Sequence, residues 1–193
     1  MSQYSKENLL VLPEAGETTG THLVIKIRSG ELGGDFSVME GVMVPRSLLT
    51  PHSHANEDQA VIVLTGELEF EIGGDGGERF CAPAGSYVKK PRGVQHCFWN
   101  RTDEPVRYVE LSGRDGFEGF VDSATSDGII HGVSKSNQKY DMTWYFDRVP
   151  KLMIEHRLTH IAGLETPWEK LKEAGSPGDV IDAVRQAVAG AGC

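Results

Sequence analysis

The chain has 193 residues, 39% of them hydrophobic and 24% charged, and a formal net charge of −9 at pH 7. That length suits one well-buried domain with a tail, and the composition is that of an ordinary globular protein. The acidic balance argues against a nucleic acid or an anionic membrane surface as partner, because both need basic surface. No apolar run approaches the roughly 18–20 residues of a membrane span. The start, MSQYSKENLL, lacks the charged-then-apolar pattern of a signal peptide. Cys81, Cys97 and Cys193 show no CxxC spacing, so a reduced, cytoplasmic protein without a disulfide framework is expected.

From about residue 21 to residue 111 the chain is a series of short β-type runs punctuated by glycine and proline. THLVIKIR (21–28) and FSVMEGVMV (36–44) come first, with Met39 and Met43 expected in the core. AVIVL (60–64) and ELEFEI (67–72) follow; the latter alternates, with Leu68, Phe70 and Ile72 on one face and three glutamates on the other. Gly-Gly-Asp-Gly-Gly (73–77) reads as a hairpin loop, because glycine tolerates the positive φ of tight reversals. SYVKK (86–90), QHCFWN (95–100) and VRYVEL (106–111) complete the series. Many short strands without intervening helices imply a sandwich or barrel.

The signals change after about residue 138. A helix is expected within 142–158, with Pro150 near its start. Thr166-Pro167-Trp168-Glu169 reads as a capping box opening a second helix that stops at Gly175. Ser176-Pro177-Gly178-Asp179 opens a third, whose apolar stripe is Val180, Ile181, Val184 and Val188. The expected organisation is a β-barrel over 1–137 and a helical extension over 138–193.

Two histidine-bearing segments carry chemistry. His52 and His54 are one residue apart, so on an extended backbone both imidazoles point to one face. His96 lies about 40 residues later, sharing its face with Phe98 and Asn100 while Cys97 and Trp99 face the other way. Imidazoles from two strands converging inside a small barrel make a three-nitrogen pocket suited to Zn, Fe, Ni, Cu or Mn. Phe98 is expected as core, and Trp99 as covered by a second sheet, by the helices or by a second subunit.

Other candidates have blander readings. His156 and His160, four apart, are expected to be a solvated surface pair, since no third ligand stands at a telling distance. His22 and His131 show no partner. Lys89, Lys90 and Arg92 form a small basic cluster, expected as strand-end solvation. Nothing distinguishes Tyr87, Tyr108 and Tyr140 from one another.

Residues 41–111 resemble the cupin superfamily. Its second motif is Gly, five residues, Pro, one, Gly, two, His, three, Asn, matched throughout by Gly85, Pro91, Gly93, His96 and Asn100. In its first motif, His52, His54 and the closing Gly66 match, while Arg46 stands at the opening Gly position. The motif's Glu falls on Gln59 when counted back from Gly66, and on Asp58 when counted forward from His54. Glu57 is then expected to face solvent. The resemblance implies an all-β cupin jelly-roll barrel with a C-terminal helical extension. It also implies one divalent metal (Fe, Ni, Zn, Mn, Cu or Co) on His52, His54 and His96, with Gln59 or Asp58 as fourth ligand and catalytic residue.

A carboxamide cannot serve as general base, having no proton affinity near neutral pH. If Gln59 holds the Glu position, base catalysis of the kind attributed to the single-barrel quercetinase-like dioxygenases, a looser resemblance, is weakened, and Asp58 or a metal hydroxide must serve. Three functions are therefore carried forward. One is a dioxygenase acting on an enolisable or phenolic small molecule, the favoured one. The second is a non-redox cyclase, isomerase or decarboxylase of a carbonyl substrate. The third is a non-catalytic small-molecule binder. Cupins are commonly dimeric, so a homodimer is expected.

Overall fold

The computed structural model describes residues 6–163. The helices expected at 167–175 and 179–190 lie outside the described residues. Strands β1 (Glu17–Thr18), β2 (Leu23–Ile27), β3 (Phe36–Met43), β4 (Ser47–His54), β5 (Gln59–Val63) and β6 (Glu67–Ile72) are followed by β7 (Glu78–Pro83), β8 (Tyr87–Lys90), β9 (His96–Asn100) and β10 (Val106–Gly113). One sheet runs β1-β2-β3-β10-β5-β8. The other contains β4-β9-β6-β7, so that from β3 to β10 nearly every connection crosses between sheets. Two sheets wound this way, with inward faces closed on one core, make a jelly roll.

The inward parity of the strands builds that core. Met39, Met43, Val61, Leu68, Phe70 and Phe98 pack together, each buried side chain contributing about 1.5–3 kcal/mol. Strand β6 departs from simple alternation at one position. Glu71 is buried, because the guanidinium groups of Arg79 and Arg148 meet its carboxylate.

Helices begin earlier than the sequence signals suggest. Behind the four-residue turn α1 (Lys6–Leu9), α2 (Gly116–Asp127) and α3 (Ile129–Tyr140) form a hairpin packed on the barrel mouth through Phe120, Val121 and Ala124. Neither has a local side-chain cap. The chain then returns to the second sheet: β11 (Met142–Trp144) pairs with β4, placing Trp144 opposite His52. Helix α4 (Val149–Glu155) has Pro150 in its first turn, as expected, though residues 142–144 are strand. Its Val149, Leu152 and Met153 cover Trp99, Cys97 and Leu48 on the outer face of β4 and β9. Strand β12 (His160–Ile161) adds in parallel to the start of β4. No helix among the described residues is long and apolar enough to cross a membrane.

Candidate metal centre

Strand β4 leaves its ladder with β9 between Leu49 and His52, across Thr50 and Pro51, and then pairs His52 directly with His96. Proline has no N–H to donate, so a break in the ladder there costs little. The turn leading into β9 is tied to β4 by Gly93, whose N–H donates to the His54 carbonyl at 2.7 Å with φ at 72°. Arg46, at the motif's opening glycine position, also adopts left-handed backbone (φ 55°). An L-residue there costs roughly 1–2 kcal/mol.

The three imidazoles converge. His52, His54 and His96 are 2%, 1% and 2% exposed, with ring centroids 4.5 to 5.6 Å apart. One ring nitrogen from each lies within 4.8 Å of the others. The Nδ1–H of His52 donates to the Thr50 carbonyl at 2.7 Å, and that of His96 to the Val94 carbonyl at 3.0 Å. Those bonds select the tautomer that leaves each Nε2 lone pair free. Among the described residues, His96 Nε2 and both nitrogens of His54 are buried without a hydrogen-bond partner. Burial drives the His52 and His96 pKa values well below the ordinary range, helped by His54 or His52 and by the Lys90 ammonium, and takes His54 down to about 3. Neutral, orphaned, convergent nitrogens are the donor set a divalent first-row ion requires. The residues fit a metal.

The polar triplet after His54 is arranged differently from the sequence expectation. Glu57 is buried, not solvent-facing: its Oε2 stands 3.5 Å from His54 Nδ1. Both its oxygens accept the Phe117 N–H, at 3.1 and 2.9 Å, at the start of α2. A carboxylate from a distant loop therefore caps a helix that lacks a cap of its own. Burial raises the Glu57 pKa, and the Phe117 and Gly116 amides pull it partly back. Asp58 is exposed and bound to Arg92, through the Arg92 N–H and Nε at 2.9 Å, and Arg92 holds its pKa down to about 2. Gln59 is buried; its Nε2 donates to Ser112 Oγ at 3.0 Å, and its Oε1 has no partner among the described residues.

A second polar group is invisible as such in the sequence. Lys90, expected to be solvated, is buried, and its Nζ donates to Glu110 Oε2 at 2.8 Å. Nζ lies 2.8 Å from Oε1 as well, so the ammonium faces both carboxylate oxygens. Burial lowers the Lys90 pKa and raises that of Glu110, each opposed by the other's charge. The available signal is parity: Val88 and Lys90 share a face in β8, as Tyr108 and Glu110 do in β10. Tyr108 also binds His22, with 2.8 Å between its hydroxyl and His22 Nε2. A cavity of about 50 Å³ lies here, walled by His52, Lys90, Glu110, Phe117, Phe120 and Trp144. Trp144 lies 5.0 Å from the His52 ring and is pinned by its Nε1–H to Ser136 Oγ at 2.7 Å.

His156 and His160 form no pair. His156 ends α4 and packs half-buried on Trp99 at 4.2 Å, while His160 lies in β12 beside Thr159. Asn100, a motif residue, binds backbone: its Nδ2 donates to the Met43, Val44 and Glu104 carbonyls, and its Oδ1 accepts from Thr102.

Residues 39–112 match the family model of the cupin domain. No curated protein matches the chain. Among solved structures, the chain is similar to KdgF from Halomonas sp. (20% identity, 49% of this chain and 79% of that one, TM-score 0.43). It is also similar to a point mutant of the Bacillus subtilis oxalate decarboxylase OxdC (22%, 53% and 28%, 0.44). A third is the DMSP lyase DddQ from Ruegeria pomeroyi (22%, 42% and 40%, 0.38). By its matched domain and its sheet order, the barrel has the cupin jelly-roll fold, with three histidines able to hold a metal at its centre.

Proposed function

We propose that this protein is a metal-dependent cupin enzyme acting on a small enolisable or phenolic molecule, with dioxygen as co-substrate. The observation that carries the reading is the set of three buried, neutral imidazoles whose free nitrogens converge, with His52 also lining a small cavity. When bound there, a divalent ion supplies Lewis acidity and, if redox-active, electron exchange with oxygen. Phe117, Phe120 and Trp144 form an apolar part of the cavity wall, which lowers the local dielectric and strengthens electrostatic contacts inside it. Thr50 and Val94 fix the orientations of His52 and His96 through their carbonyls. Gln59 is the fourth donor in this reading, since its amide oxygen is buried and unpartnered among the described residues. Asp58 is not, being turned outward to Arg92.

One observation favours the non-redox alternative, a cyclase, isomerase or decarboxylase. The Lys90 ammonium on the cavity wall adds a second electrophile suited to a carbonyl. Anaerobic loading with each first-row ion in turn, then assay of phenolic and enolisable compounds with an oxygen electrode, separates the two. Oxygen uptake with a redox-active ion and none with zinc is expected. Turnover by the zinc form without uptake would replace the oxygenase reading with the non-redox one, and binding without turnover in every form would leave a binding protein. Gln59→Leu should lower metal affinity by about ten-fold, the scale of a perturbed ligand set, with Gln59→Glu retaining the metal.

A further inference from the structure

Resting on that reading of the site, we propose that Lys90, held in place by Glu110, binds the anionic oxygen of the ligand. The cavity then selects small monoanions (enolates, phenolates or carboxylates) over their neutral isosteres.

The geometry of the pair is the first support. Lys90 and Glu110 lie on β8 and β10, the two strands flanking β5, in register with Gln59 and Val61 respectively. Their side chains meet on the inner face, and both line the cavity that His52 lines. An ammonium carries three donors. Among the described residues Lys90 has a single hydrogen-bonding partner, with the Phe98 ring 5.8 Å away as its other neighbour. Donor capacity therefore remains at the cavity wall.

The energetics point the same way. Removing an ammonium and a carboxylate from water costs several kcal/mol per ion, and a well-packed apolar pair of equal volume is often at least as stable. Apolar side chains fill most of the core around the pair, and the buried imidazoles and Gln59 beside it are neutral, so a charged pair here calls for a use other than packing. Charge balance supplies one. Two buried carboxylates act on the buried ammonium, Glu110 by direct contact and Glu57 through its charge, a net single negative charge. A divalent ion on the histidines makes that a net single positive charge, which one monoanion neutralises.

The test removes both charges together, since Lys90→Met alone strands a buried carboxylate. Lys90→Met/Glu110→Gln leaves the net charge unchanged, so any loss of anion binding comes from the contact itself. Zinc-loaded parent and double variant, matched in zinc by elemental analysis, are titrated calorimetrically with acetate and with its neutral isostere acetamide. At least a ten-fold loss of acetate affinity is expected, with acetamide unchanged. In the zinc-loaded parent, the Lys90 Cε–Hε NMR resonance should move on addition of acetate. Equal acetate affinity in parent and variant, or a Lys90 resonance that stays still, overturns the proposal and leaves the pair as a strap between β8 and β10. Neither measurement uses turnover. Failure of the parent to hold zinc would defeat the proposed function and the anion site with it, whereas equal acetate affinity in a parent that holds zinc defeats the anion site alone.

Discussion

Strands β4 and β9 bring three imidazoles into the barrel, whereas β5, β8 and β10 bring in Gln59, Lys90, Glu110 and Ser112. Both walls obey the same inward parity, and both sets of side chains are buried. They differ in how burial is tolerated. The imidazoles shed their charge, since desolvation lowers their proton affinity. The ammonium and carboxylate instead keep a partner 2.8 Å away. A barrel can thus hold reactive polar groups in two ways, as neutral lone pairs able to take a cation or as charges kept beside their counter-charge.

The largest expected effect breaks the imidazole wall. His96→Ala should abolish metal retention, measured as metal per chain after dialysis, whereas His160→Ala, in β12, should leave it intact. Equal metal content in the two variants would remove the assignment. Breaking the ion pair from one side comes next. Lys90→Met strands Glu110 and should cost roughly 3–5 kcal/mol in denaturant unfolding, against little for the double variant. A single variant as stable as the double would mean that Glu110 finds water or another partner.

A smaller effect tests the neutrality of the imidazoles. Folded His54 stays neutral down to about pH 3, while the unfolded chain protonates it near 6.5. In that window the unfolded state binds more protons, so stability falls as pH is lowered from 6.5, by up to about 1.4 kcal/mol per pH unit for this group. Thermal melts of metal-free protein between about pH 7 and about pH 5 should show this decline, less steeply in His54→Gln. An identical slope would take His54 out of the account. The smallest effect is Asp58→Asn, which should leave metal content unchanged because Asp58 faces Arg92 and solvent. Loss of the metal would restore Asp58 as a ligand.

Much of the barrel is legible in the sequence. The alternation of Leu68 and Phe70, and the parity of His96 with Phe98, depend only on the two-residue repeat of a strand, and the structure follows both. The three histidines come together because His-x-His on extended backbone faces one way. Glu57 defies the sequence expectation for a reason that no local rule supplies. It lies between strands, and its direction is decided by helix α2, some 60 residues later. That helix escapes a reading of sequence signals for the reciprocal reason: its capping carboxylate is Glu57 and not a neighbour in sequence. Lys90 and Glu110 are 20 residues apart on strands separated by β5, so their pairing emerges only once the sheet order is known.

The Glu57 link also joins the cover of the cavity to its imidazole wall. Lifting α2 off the barrel mouth requires release of the Phe117 amide from the carboxylate beside His54. Opening of α2 is then a local equilibrium with its own free energy, visible as hydrogen exchange at that one amide. Whatever binds only the closed form must slow that exchange by the factor of its own mass action. The Phe117 amide is thereby a reporter of occupancy that needs no knowledge of the substrate.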